Sequence, residues 1–245
     1  MQTMNKFRIA KTIAYFVVGF TPFNAVALNE NDVNGKVDLS YKVNILGSNL
    51  GEIHTTITKN NQNFEISSIT RAEGVASLIL GGNVTQGCSF STTGQHIISS
   101  TSNIEKKGRK AFKNDIQIDW DSRFINYNNE SSLSVPSGYL IDFCNFHFAA
   151  AYTDHEFLKK HKMYVLDGKK SRLKSYIFKS ISQEKIKIPA GEFEANKITF
   201  ERELNPDKSI TFWTSEKYPY FPLKMVETRK SKKRILTLKS ISTKS

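Results

Sequence analysis

The chain has 245 residues, a net charge of +12 at neutral pH, 39% hydrophobic residues and 17 phenylalanines. This apolar content is enough to bury a core, and the ordinary charged fraction of 24% argues against disorder along the whole chain. Two cysteines are too few for a disulfide-rich scaffold or a four-thiolate zinc site, and no run of about 18 apolar residues predicts a membrane-spanning helix.

The first 27 residues have the pattern of a cleaved export signal. Basic residues and no acidic ones precede a short apolar run at residues 13–20, and Ala25 and Ala27 are the small residues expected before a cleavage site. We therefore predict cleavage after Ala27, a single β-rich domain at residues 28–245, and a periplasmic location in a Gram-negative bacterium. The alternative is an uncleaved N-terminal anchor, for which the apolar run is short.

Apolar and polar residues alternate with a period of two along most of the remaining chain, which predicts strands. Val37, Leu39, Tyr41 and Val43 show the pattern first. Similar segments recur about every 8–14 residues, with turn residues and no helix between them, as in an antiparallel meander. The later segments are residues 53–57, 64–68, 112–120, 176–181, 186–188, 193–201, 210–214, 223–227 and 235–241.

Residues 139–152 lack this alternation and predict the one helix of the fold. The segment places Leu140, Phe143 and Phe148 at helical spacing and is apolar almost all round. Such a helix belongs in the interior. We therefore predict a mainly β fold, a curved antiparallel sheet or open half-barrel that wraps this central helix, with these three residues in the cavity.

The two cysteines leave two alternatives open. Export would place Cys88 and Cys144 in an oxidising compartment, where a disulfide would join a strand to the predicted helix. The other alternative is a pair of buried free thiols, which an apolar helix also accommodates.

Charge is distributed unevenly along the chain. Residues 28–158 carry a net charge of −4, whereas residues 159–245 carry +13. A basic surface outside the cytoplasm favours anionic lipid headgroups, acidic glycans or an acidic protein as partners, and export argues against nucleic acid. The alternative is a solvated hairpin tip that keeps a sheet edge from aggregating. The densest cluster, our candidate for anionic contacts, consists of Arg229, Lys230, Lys232, Lys233 and Arg234.

The sequence contains no recognisable catalytic motif. Nucleophile-elbow, phosphate-loop and dinucleotide-binding glycine patterns are absent. His155 and His161 are six residues apart, and only a spacing of about four would direct both imidazoles to one metal. Asp142 and His147 are the only neighbouring titratable pair that merits attention as a site. We expect a non-catalytic protein without a metal or cofactor.

Three stretches resemble a known family when they are taken in order. The resemblance is to the exported bacterial proteins of the domain of unknown function 3108 family, over roughly residues 36–241. It implies a periplasmic, antiparallel β-rich fold and no particular activity, with a more distant likeness to the half-barrels of periplasmic lipoprotein carriers. The stretches are L-S-Y-K-V with G-E-I at residues 39–53, I-K-I-P-A-G-E-F at 186–193, and W-T-S-E-K with F-P-L-K-M at 213–225.

Taken together, these features favour a non-catalytic binding protein of the bacterial envelope. Its apolar concavity would hold a lipid, an acyl chain or a lipidated peptide, and its basic C-terminal hairpins would contact anionic headgroups. The alternative is a structural or adaptor protein, in which the helix fills the concavity permanently and the basic surface docks a protein or a glycan. The sequence does not predict an oligomeric state.

Overall fold

The computed structural model describes residues 35–74, 77, 82–94, 96–108, 110–128 and 131–244. The predicted leader, with Ala25 and Ala27, lies outside these residues.

The described strands form a single sheet of fifteen strands. Its order is β8-β7-β6-β5-β4-β3-β2-β1-β15-β14-β13-β12-β11-β10-β9, and every neighbouring pair is antiparallel except β9 and β10. The strands are β1 Gly35–Ile45, β2 Ser48–Asn60, β3 Asn63–Ala72, β4 Val84–Thr93, β5 His96–Lys106, β6 Phe112–Asp119, β7 Phe124–Tyr127, β8 Ser131–Ser134, β9 Tyr139–Asp142, β10 Met163–Asp167, β11 Arg172–Ile188, β12 Gly191–Arg202, β13 Asn205–Thr214, β14 Lys224–Arg229 and β15 Lys232–Lys244.

The sheet curves around one main hydrophobic core. On β1, the alternating residues Val37, Leu39, Tyr41 and Val43 are all buried, because they share the inner face of the pleat. Residues from both halves of the sheet and from a central helix meet in this core. The predicted mainly β fold, a large open sheet, is therefore confirmed.

The helix predicted at residues 139–152 is wrong in its first half. Tyr139–Asp142 is strand β9, which pairs in parallel with β10, and the helix α1 occupies only Phe146–Tyr152. A second short helix, α2 at His155–Lys160, completes the connection to β10. All four residues of β9 are buried, so the strand has two buried faces and shows no alternation of apolar and polar residues. Because β9 shows no alternation, the sequence did not predict a strand there and therefore did not predict its parallel pairing with β10.

The two ends of the sheet overlap. Tyr139 and Ile141 of β9 face the main core, whereas Leu140 faces a second cluster. In that cluster Leu140 packs with Ile116 of β6 and Ile125 of β7. Strands β9 and β10 therefore lie between the main core and the β6–β7 end of the sheet, although no backbone ladder joins β9 to that end.

The segments predicted separately at residues 176–181 and 186–188 belong to one strand, β11, of 17 residues. Its middle residues, Ser182 and Gln183, are exposed but continue the ladder with β12, opposite Lys197 and Asn196. Exposed polar residues on both faces therefore interrupted the apolar pattern without ending the strand.

A disulfide joins Cys88 on β4 to Cys144 in the turn between β9 and α1. Of the two alternatives that the sequence left open, the structure contains the bridge. Both cysteines are buried in the main core, so the bridge fixes the start of α1 against the inner face of the sheet.

Four aromatic rings fill the core beside α1. Phe148 of α1 is fully buried and lies edge-on to Phe64 and Phe90, with centroid distances of 4.8 and 4.6 Å. Tyr220 stacks on the same ring at 5.6 Å. These four residues, hereafter the aromatic cluster, close the interior on the side of α1 away from the site described next.

Candidate functional site

A cavity of about 740 Å³ opens at one end of the curved sheet. Its rim is formed by the β10–β11, β12–β13 and β14–β15 connections, and its inner end is formed by the residues around the start of α1. The volume lies within the range of about 300–1,000 Å³ that is typical of small-molecule sites.

The walls of this cavity are apolar because they are the inner faces of the strands. Alternate residues of each strand point inward and form these walls. Phe143 and Phe146 line the cavity beside the Cys88–Cys144 bridge, and the Phe143 ring centre is 5.8 Å from Lys174 Nζ. The wall residues include Val43, Ile53, Ile104, Ile210, Phe212 and Leu236.

His147 also lines the cavity, next to Phe146 at the start of α1. Burial lowers the pKa of its imidazole to about 4, because a low-dielectric environment disfavours the charged form. The side chain is therefore neutral at neutral pH and offers one donor and one acceptor without a charge.

The rim of the cavity is strongly basic. Among the described residues that line it, ten are lysine or arginine and two are aspartate or glutamate. Four of the ten cations contact the two carboxylates. The other six form no ion pair with any carboxylate in the described part of the chain; they are Arg71, Lys106, Lys169, Lys170, Arg202 and Lys208.

Each carboxylate of the rim is paired with two cations. Asp167 contacts Lys174 at 2.6 Å and Arg172 at 3.6 Å. Glu227, which is only 7% exposed, is held between Arg229 and Arg234 on the β14–β15 hairpin. The local charge thus stays positive, and a low-dielectric cavity rimmed by one sign of charge attracts an anion.

The basic cluster predicted from the sequence divides into two groups. The side chains of Arg229 and Arg234 line the cavity. Lys230, Lys232 and Lys233 are exposed at the tip of the hairpin and do not line it. The prediction thus located two rim cations, but it missed those that come from other strands.

Only Phe143, of the three residues predicted to face the cavity, lines it. Leu140 lies on β9 and packs into the second hydrophobic cluster, because the segment is a strand there. Phe148 belongs to the aromatic cluster. One feature of the sequence could have indicated the missed rim residues. Cations such as Lys170 and Lys208 lie in or next to the connections between strands that contain apolar residues.

Asp142 and His147 do not form a shared site. Asp142 is buried in the seam between β9 and β5, where its carboxylate accepts hydrogen bonds from Ser102 Oγ at 3.0 Å and from the Cys144 backbone N–H at 2.6 Å. His147 instead lines the cavity. Within the described residues, no group of three or more His, Cys, Asp or Glu side chains is placed to hold a metal ion.

The two tryptophans do not line the cavity. Trp120 donates a hydrogen bond to the Ser99 carbonyl at 2.8 Å, and Trp213 donates to Glu184 on β11.

No helix among the described residues has the length and apolar character needed to cross a membrane.

Comparison with solved structures finds a match of low sequence identity. The crystal structure of a β-barrel-like protein of the domain of unknown function DUF1849 from Brucella abortus aligns with a TM-score of 0.48 and 8% identity. The alignment covers 87% of this chain and 98% of the other. A search of curated proteins finds no match.

The sequence also matches a family model described as a protein of unknown function, DUF3108. The match extends over residues 38–231, from the first strand to the turn between the last two, and so includes nearly every strand that lines the cavity. The chain therefore belongs to the DUF3108 family.

Proposed function

We propose that this chain is a non-catalytic binding protein of the bacterial periplasm that holds an anionic amphiphile in the basic-rimmed cavity. The observation that carries the proposal is the combination of apolar walls with ten cations and two carboxylates among the described lining residues. An acyl chain matches the walls, and an anionic headgroup matches the rim.

The arrangement suits binding better than catalysis. The cations lie at the opening, whereas the inner end offers aromatic rings and the neutral imidazole of His147. Apolar area removed from water contributes about 25 cal/mol per Å² to binding, and the rim charges add attraction and orientation. The export signal predicted at residues 1–27 supports a location where such amphiphiles occur.

A fluorescent fatty acid titrated into the mature protein tests this function. Ile53→Trp adds bulk to an apolar wall of the cavity, and we expect it to weaken binding at least about tenfold, a loss near 1.4 kcal/mol. Ile177→Trp is the matched control, because Ile177 is 39% exposed and is not among the residues that line the cavity. Circular dichroism establishes that both variants fold.

Two results would contradict the proposal. One is a wild-type protein that does not bind the probe. The other is a folded Ile53→Trp protein that binds it as well as the wild type does. A dry cavity together with a tightly bound envelope protein would instead favour the adaptor function.

A further inference from the structure

Three arginines on the inner face of the sheet line the cavity near its rim. Glu227 on β14 lies opposite Arg234 on β15, and Arg229 follows two residues after Glu227 on the same face of its strand. Arg202 ends β12 and lines the same opening. We call Arg202, Arg229 and Arg234 the arginine cluster.

Two members of the arginine cluster hold donors without acceptors. Only three buried side-chain nitrogen or oxygen atoms in the described part of the chain lack a hydrogen-bond partner, and two of them are Nε of Arg202 and Nε of Arg234. Arg234 uses its Nη2 atom to contact Glu227 at 2.6 Å, which leaves its Nε unpaired. A buried donor without an acceptor is costly, so these atoms suit a ligand oxygen.

Tyr176 lies next to the arginine cluster. The guanidinium carbon of Arg202 is 5.9 Å from the centre of its ring. Burial raises the pKa of the Tyr176 hydroxyl to about 12, while Arg202 and Arg229 act to lower it and Glu227 to raise it. Arg202 therefore lies beside Tyr176 among the residues that line the cavity.

We propose that the arginine cluster binds the phosphate monoester headgroup of a lipid whose chains lie on the apolar walls. This inference rests on the function proposed above. A guanidinium presents a planar fork of donors that matches phosphate oxygens. A phosphate monoester carries about 1.5 to 2 negative charges near pH 7 and three acceptor oxygens that point in different directions, so it can accept from more than one guanidinium donor.

The depth of the cluster fits this assignment. Ile210 lies opposite Glu227 in the ladder, and Phe212 is two residues further from the rim on the same face of β13. Leu236 follows Arg234 by two residues on β15. A headgroup held at the arginine cluster therefore has apolar wall directly beneath it, in the direction of Phe146 at the inner end.

Calorimetric titration of the mature protein tests the headgroup assignment with three probes. They are a short-chain phosphatidic acid, the diacylglycerol with the same chains, and a fatty acid. In the wild type we expect the phosphatidic acid to bind at least about tenfold more tightly than the diacylglycerol. Arg202→Gln with Arg234→Gln should weaken phosphatidic acid binding about tenfold to a hundredfold and leave diacylglycerol binding unchanged.

Two further variants distinguish the effect of guanidinium geometry from the effect of positive charge on phosphatidic acid binding. Lys232→Gln with Lys233→Gln removes the same charge from exposed positions outside the cavity, and we expect it to leave the preference for phosphate unchanged. Arg202→Lys keeps the charge but loses Nε, and we expect it to weaken phosphatidic acid binding. Full affinity in Arg202→Lys would contradict the need for the fork.

Failure of this inference can be distinguished from failure of the proposed function. If the wild type binds all three probes with equal affinity, or the folded double arginine variant keeps the preference for phosphatidic acid, the headgroup assignment is overturned and amphiphile binding stands. If the wild type binds none of the probes, both proposals fail. The comparison of probes on the wild type needs no variant, so it decides the matter even if the double variant does not fold.

Discussion

Ser102 on β5 donates a hydrogen bond of 3.0 Å to Asp142 at the end of β9, although these strands are not neighbours in the sheet. Asn145 extends the link, because its amide donates to Ser99 Oγ on β5 at 2.9 Å. Side-chain hydrogen bonds thus join the overlapping ends of the sheet where no backbone ladder does. The segment between β9 and α1 that these bonds hold includes Phe143, which lines the cavity.

The first prediction concerns the charge of Asp142. Burial raises its pKa to about 6, so the folded state holds a proton that the unfolded chain releases near pH 4. This group therefore lowers stability as pH rises from about 4 to about 6. We expect Asp142→Asn, which keeps an acceptor for Cys144 N–H and offers a donor to Ser102, to be more stable than the wild type at pH 7 by about 2–3 kcal/mol.

Urea unfolding at each pH measures the free energy of unfolding of the Asp142→Asn variant and of the wild type, and the quantity of interest is the difference between the two. The difference cancels the opposite contribution of His147, whose lowered pKa makes stability rise over the same range. We expect the difference to be small at pH 4, to grow up to about pH 6 and then to level off. A difference that is independent of pH would contradict the assignment, and Asp154→Asn, an exposed helix cap, is the control.

The second prediction concerns the Cys88–Cys144 disulfide. The cysteines are 56 residues apart, and a cross-link that closes a loop of this size stabilises the folded state by about 4 kcal/mol in the chain-entropy account. We expect reduction of the wild type to lower the free energy of unfolding by about that amount. Reduction should not affect the Cys88→Ala, Cys144→Ala double variant. Alkylation of both thiols in unfolded, unreduced protein would show that the bridge is absent.

The third prediction separates the aromatic cluster from exposed aromatics. Phe148→Ala removes a fully buried ring that contacts Phe64, Phe90 and Tyr220. We expect a loss of about 3–5 kcal/mol in the free energy of unfolding. Phe124→Ala on β7 is the matched control, because that ring is 44% exposed and its loss should cost much less. Equal losses in urea titrations would refute the burial assigned to Phe148.

The fourth prediction concerns the exposed tip of the β14–β15 hairpin. Reversing Lys230, Lys232 and Lys233 to glutamate should weaken association with anionic vesicles by roughly a hundredfold or more, since each basic residue near such a surface contributes about 1 kcal/mol. Vesicle co-sedimentation at low and moderate salt measures the effect. Lys185→Glu with Lys187→Glu, on β11 near the turn at the opposite end of the sheet, should change it little. If the tip variant associates with anionic vesicles as strongly as the wild type does, the prediction that these lysines contact the vesicle surface is wrong.

Several strands with one exposed face were predictable from the sequence. Strands β4 and β5, which also carry exposed or half-exposed residues, were not among the predicted segments, and neither was β9, which is buried on both faces. Val37, Leu39 and Tyr41 alternate because one face of β1 meets the core and the other meets solvent. Tyr139–Asp142 is buried on both faces by the overlap of the sheet ends. That overlap brings together residues that are distant in the sequence. The apolar pattern of a short stretch of residues therefore does not predict it.

The cavity rim was predictable only in part for a related reason. Arg229 and Arg234 stand in one dense basic cluster and were found from it. Lys106, Arg202 and Lys208 are far apart in the chain and meet only because the strands that carry them end at the same edge of the sheet. The strand order brings these cations together, and the sequence alone does not show that order.

Native mass spectrometry of the mature protein, purified from the periplasm without detergent, tests the central claim most directly. The account predicts a mass above that of the polypeptide, with the difference carried by an amphiphile that organic solvent extracts and that a lipid mixture restores. A protein that has only the mass of its polypeptide, and that takes up no amphiphile when one is supplied, would contradict it.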